Sequence, residues 1–113
     1  MYRPADLTEY RRIRHECSNA GMIGEERTVG CWTVYDFDGL VASAYSQSAT
    51  GEVYATYDVS DEDLAAKTPD DIKCVKASSI ESIAEFLNYT ISHVSSAEDA
   101  AMAAQMFGVR THA

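Results

Sequence analysis

The sequence predicts an α+β domain: a small antiparallel sheet of three to four strands in a meander, with an N-terminal helix and two C-terminal helices packed on one face. Three observations lead there. From Thr28 to Val59, runs rich in valine, tyrosine and small β-formers are divided by the turn signals Asp38-Gly39 and Ala49-Thr50-Gly51, the pattern of strands joined by hairpins. On either side of that stretch, apolar residues recur at spacings of three and four, which is one face of a helix. Helical and extended patterns are segregated along the chain rather than alternating, which disfavours a parallel sheet. At 113 residues the chain makes one domain, residues 1–113, large enough to bury a core without staples.

The first helix is expected over residues 6–20. Asp6 is its cap, Glu9 completes a capping box, and Leu7, Tyr10, Ile13, Cys17 and Ala20 share a face. Gly21 suits a left-handed helix end. The first strand reads as Thr28–Phe37 and carries apolar bulk on both faces, so it is expected to be central or half covered on its second side. The second strand reads as Leu40–Gln47. The third reads as Glu52–Val59, with Val53, Ala55, Tyr57 and Val59 towards the core. Ser60 caps a short acidic helix, and Thr68-Pro69 repeats that grammar. Ile72–Ala77 alternates and supplies the fourth strand. Ser78 and Glu81 box the start of the next helix, whose stripe is Ile80, Ile83, Ala84, Leu87, Ile91 and Val94. Ser95 and Ser96 open the last helix, Gly108 closes it, and Val109–Ala113 read as a frayed tail.

Charge is the strongest compositional signal. Eighteen acids against nine bases give −9. Such a chain is repelled by phosphate backbones and anionic membranes, so direct nucleic-acid or membrane binding is not expected. From Glu52 to Asp71 there are seven acids and only Lys67 as a base, so two thirds of the net charge lies in that stretch. The structural reading is that acids cap short helices and keep a sheet edge soluble. The functional reading is a patch of Asp58, Asp61, Glu62, Asp63, Asp70 and Asp71 that docks on a basic protein surface. Arg11, Arg12, Arg14 and His15 form the only positive cluster.

Other constellations are weaker. Cys17, Cys31 and Cys74 are odd in number and widely spaced, so reduced thiols in a cytoplasmic protein are expected. With His15, His93 and His112 they match no metal-ligand spacing. Asp36-x-Asp38-Gly39 lacks the later ligands of a calcium loop. No catalytic residue, metal site or cofactor is assigned. Trp32, Tyr45 and Tyr54 fall on three strands, on the face opposite the expected core, where exposed aromatics serve as binding anchors. Met102 and Met106, four apart and beside Phe107, form a stripe on which a homodimer would assemble.

The resulting expectation is a small acidic, non-enzymatic protein-interaction module. A compact acidic chain without motifs fits the general profile of phage or mobile-element inhibitors, anti-CRISPR and other anti-defence types included. Such an inhibitor would occupy a partner's nucleic-acid-binding surface as a nucleic-acid mimic. The alternatives are a regulatory or structural homodimer, and a small enzyme or ligand-binding domain with a hidden Cys/His site.

Overall fold

The computed structural model describes residues 1–17, 26–35, 43–57 and 59–112. The expected helix end at Gly21, the Asp36–Gly39 turn, the Leu40–Ala42 part of the second strand and the acid Asp58 lie outside the described residues. In chain order the elements are β1 (Tyr2–Pro4), α1 (Thr8–Cys17), β2 (Glu26–Val29), β3 (Trp32–Tyr35), β4 (Ser43–Ser48), β5 (Val53–Tyr57), α2 (Asp61–Ala66), β6 (Cys74–Ala77), α3 (Ile80–His93), α4 (Ala97–Met106) and β7 (Arg110–His112).

The architecture is α+β, but the three-to-four-stranded meander is overturned: the sheet has seven strands, in the order β2-β3-β4-β5-β6-β7, with β1 on β4. Every pairing is antiparallel. Three local causes add the extra strands. Gly30 takes φ +58 and folds the expected first strand back on itself, so that Val29 faces Trp32 and Thr28 faces Thr33. A positive φ of this kind is nearly free for glycine and costly for other residues. The N-terminal residues form β1, which lies in line with β3 along one edge of β4: β3 pairs with Ser43–Tyr45 and β1 with Ser46–Ser48. The buried Ser46 hydroxyl sits at this joint, 2.6 Å from the Cys31 carbonyl and 3.1 Å from that of Arg3.

The C-terminal tail is not frayed. Gly108 N–H donates to Gln105 O (3.2 Å) and Val109 N–H to Ala104 O (2.8 Å), the paired bonds of a Schellman end. That turn, with Gly108 at φ +71, sends the chain back along β6 as β7.

The second correction concerns coverage. Helices α1, α3 and α4 pack on one face over Tyr35, Tyr45, Val53 and Ala77. The short helix α2 covers the opposite face, where Leu64 joins Trp32, Val34 and Ala44. Neither face of the sheet is left bare at its centre. Of the expected helical stripes, Leu7 just before α1, Tyr10 and Ile13 within it, and Ile83 and Ala84 of α3 are buried, while the side chains of Cys17, Leu87 and Ile91 lie outside the described residues. Helix α3 starts one residue later than its sequence suggests, with Ser79 Oγ accepting from Ser82 N–H at 3.2 Å. Tyr57, expected in the core, is 72% exposed at the end of β5.

Gly30 also sets the clearance between β2–β3 and α2. A Cβ there would lie 3.1 Å from Leu64 O and 3.3 Å from Ala65 Cα, backbone atoms that cannot swing aside. Gly51, at φ +94, has open space instead. Gly51→Ala is expected to cost about 1–2 kcal/mol through its backbone alone. Gly30→Ala is expected to cost about 2–4 kcal/mol, because crowding adds to the same backbone penalty. Urea unfolding followed by circular dichroism gives both values, and equal losses would refute the close approach.

Candidate interaction surface

The acidic segment forms a strap across the sheet face opposite α1, α3 and α4. Ser60 begins it, accepting from Asp63 N–H at 3.2 Å and so capping α2. Leu64 is the one buried residue of that helix and is its apolar anchor. Beyond the helix, Lys67 O accepts from the Trp32 indole N–H at 2.9 Å. Trp32 is wholly buried beneath this arrangement. The strap continues into a turn rather than the second short helix expected at Thr68-Pro69. There Asp71 Oδ2 accepts from both the amide (3.0 Å) and the hydroxyl (3.1 Å) of Thr68, and Pro69 is buried.

The predicted acids thus divide by role. Asp61 is gripped by Arg27 of β2, whose Nε and Nη2 donate at 3.0 and 2.9 Å. This two-pronged bond holds the Asp61 carboxyl below its ordinary range. Asp71 closes its own turn. Glu62 and Asp63 are exposed on the first turn of α2, and no ion pair to either occurs among the described residues. Glu52, upstream, lies 3.5 Å from Arg110 of β7.

Asp70 belongs to a cluster that sequence reasoning missed. Its Oδ1 accepts from the Tyr2 hydroxyl at 2.8 Å and from His112 Nε2 at 3.2 Å. The Tyr54 ring meets Tyr2 edge-on at 5.3 Å and His112 at 4.9 Å. The hydrogen bond from Tyr2, then that from His112, lowers the Asp70 pKa. An ionised carboxylate only accepts, so Nε2 carries the imidazole proton. Burial and the bond to Asp70 push the Tyr2 phenol well above its usual value. Burial, then the charge of Glu52, raises Tyr54. One carboxylate thereby ties β1 and β7, the two terminal strands, to the strap.

The three aromatics proposed as anchors are all buried: Trp32 at 0%, Tyr45 at 1% and Tyr54 at 5% exposure. They do not share a face. Tyr45 points to the helical side, its hydroxyl 2.7 Å from that of Tyr10, while Trp32 and Tyr54 lie on the strap side. The register accounts for this, because Tyr45 pairs with Thr33 and Ala55, the chain neighbours of Trp32 and Tyr54, and with both faces covered none of the three is accessible to a partner. Among the described residues the large exposed apolar side chains lie elsewhere: Met102 and Met106 on α4, at 66% and 68%, Tyr57, and Met1 at the start of the chain. Phe107, grouped with the methionines, packs instead against the helical core and the Tyr89 ring.

Asp70 and His112 form the carboxylate–imidazole pair that a general base would use. The nearby thiol is unsuited to be its nucleophile. Cys74 is buried, with Sγ 3.7 Å from Pro69 O, and burial, reinforced by the charge of Asp70, pushes its pKa up to about 11. Among the described residues no three His, Cys, Asp or Glu side chains could jointly hold a metal ion. No described helix is long and apolar enough to cross a membrane. Compared with protein-family models, with curated proteins and with solved structures, the chain matches none.

The Asp70 clasp has a pH signature. Its carboxyl is depressed in the folded state, so its contribution is complete above the unfolded pKa, near 3.9, and is lost as pH falls through the folded value. Thermal melts of wild type and Asp70→Asn should therefore differ most at neutral pH and converge in acid. A gap that stays constant with pH would show that the charge of Asp70 contributes nothing.

Proposed function

We propose that this chain is a non-enzymatic protein-interaction module, acting in the cytoplasm, whose acidic strap docks on a basic surface of a protein partner. One observation carries the reading: Asp61, Glu62 and Asp63 occupy an exposed helical turn whose position is fixed from beneath. Leu64, the Trp32–Lys67 bond and the Arg27–Asp61 fork hold that turn to the sheet. Acids held in place lose little freedom on binding, and the −9 net charge speeds encounter with a cationic surface. A surface evolved for nucleic acid is the most cationic that proteins commonly offer. That makes an inhibitor of the anti-defence type, mimicking nucleic acid, the natural form of this reading. Asp70 and Asp71 have structural duties, so Glu62 and Asp63 are the residues left to meet the partner.

A second reading has its own support. Met102 and Met106 project from α4 with two thirds of their surface exposed, and methionine suits adaptable contacts. Two copies meeting through this stripe would form the regulatory homodimer, and a native mass of twice the chain would favour it.

A matched pair of variants tests the first reading. Glu62→Lys with Asp63→Lys, and Glu98→Lys with Asp99→Lys, each reverse two exposed acids in the first turn of a serine-capped helix. Net charge and helix-end cost therefore change alike. Proteins captured from a bacterial lysate at low salt should be released at high salt. The α2 variant should lose capture on the order of tenfold, while the α4 variant retains it. Equal losses would reduce the effect to diffuse charge and refute the strap as the docking surface.

A further inference from the structure

Strands β1 and β7 have three residues each and share no main-chain pairing: β1 lies on β4 and β7 on β6, with β5 between those two. Strands this short carry few ladder bonds and belong to the part of a fold that opens first. Each has one further tie of its own. The Ser46 hydroxyl donates to Arg3 O of β1 at 3.1 Å, and Arg110 of β7 lies 3.5 Å from Glu52. What the two strands have in common is Asp70. Tyr2 and His112 donate to the same oxygen, Oδ1, and both rings pack against that of Tyr54.

The Asp70 carboxylate rides on a closed turn. Its own amide donates to Thr68 Oγ1 at 3.2 Å, and Asp71 N–H donates to Thr68 O at 2.9 Å. Pro69 within the turn is buried, and its carbonyl accepts from the buried Cys74 thiol. The residue before the turn is Lys67. Its carbonyl holds the Trp32 indole, and its N–H returns to Leu64 O at 3.5 Å. A continuous run of bonds thus leads from Tyr2 and His112, through the backbone of residues 67–71, to α2. The first donor to engage Asp70 bears the loss of freedom of the turn and of the Tyr54 ring. The second finds both already fixed, so each bond strengthens the other. Beneath the strap, Trp32, Val34, Ala44 and Leu64 form a core cluster distinct from the one under α1, α3 and α4. One cluster can therefore open while the other stays packed.

We propose that β1, β7 and the strap, residues 60–71, open and close as one unit latched by Asp70, so that an event at either strand is felt at the acidic turn of α2. The open state frees both strands and lifts Leu64 from Trp32; the closed state is the one described above. Coupling of this kind is reciprocal, so whatever steadies the α2 turn also steadies β1 and β7. It is a property of the chain by itself and does not rest on the docking reading.

The test is native-state hydrogen exchange, followed by ¹H–¹⁵N NMR, on Tyr2→Phe and His112→Phe. Each keeps the ring beside Tyr54 and removes one donor to Asp70. Tyr2→Phe should speed exchange about three- to tenfold, the scale of a partly exposed hydrogen bond to a charged group. It should do so at the β6–β7 ladder and the Trp32 indole N–H as well as in β1. His112→Phe should act equally on the β1–β4 ladder and the indole. Arg12→Gln, which removes an ion pair with Glu9 on α1, outside the unit, should change none of these. Asp70→Asn keeps an acceptor at Oδ1 and repeats the test with neither ring altered; all three regions should quicken together. Faster exchange confined to the strand that carries the substitution would overturn the proposal. So would slower exchange in the other strand, the sign of two donors competing for one oxygen.

Discussion

The indole of Trp32 lies between β3 and the strap, with no exposed surface and its one polar atom satisfied by Lys67 O. Most of what is particular to this molecule follows from that contact. A six-residue helix such as α2 has no stability of its own in water, because helix nucleation is unfavourable and few bonds follow it. It exists here because Leu64 and the Trp32 indole bury each other, together with Val34 and Ala44. Truncating a buried tryptophan commonly costs about 3–5 kcal/mol, a large share of what a small domain has to lose. Gly30, by lacking a side chain, lets the helix come that close. Sheet and strap are therefore mutually dependent.

That dependence explains how a stretch carrying most of the net charge can be well ordered. Like charges repel, and acids add nothing to a core. Here the apolar anchor and the backbone bonds set the position of the strap, while the acids sit at its perimeter. Some are answered locally: Asp61 by Arg27, Asp70 by Tyr2 and His112, Asp71 by Thr68. Glu62 and Asp63 face solvent. Those two acids are placed by the fold without ion-pair bonds of their own among the described residues.

Legibility from the sequence followed the length of the pattern. Helices α1, α3 and α4 each span at least ten residues, enough for Tyr10 and Ile13 with Leu7 just ahead of them, or Ile80, Ile83 and Ala84, to declare a face. The caps Ser60 and Ser96 and the closure at Gly108 are local chemistry and were readable as such. The two terminal strands have three residues each, too few for any period, and they form only because β4 and β6 offer open edges. In the sequence Gly30 reads as one more residue of the Thr28–Phe37 strand, whereas its positive φ makes it a reversal. That single turn changed the neighbours of Trp32. The apolar bulk on both faces of the Thr28–Phe37 run did signal two-sided coverage, but not which segment supplies it.

The candidate surfaces were legible only in part. Density of acids along the chain drew attention to the segment that forms the strap, yet sequence alone gave Asp70 and Glu62 equal standing. Their separation depends on Tyr2, Tyr54 and His112, which are far apart in sequence and meet only in the folded chain. The claim beneath all of this is that the acidic strap seals one face of the sheet, and Trp32, the chain's single tryptophan, reports on it directly. Its fluorescence should be blue-shifted and nearly immune to acrylamide in the native protein, and both properties should be lost on unfolding. Emission typical of water, quenched freely by acrylamide while circular dichroism remains native, would contradict the account.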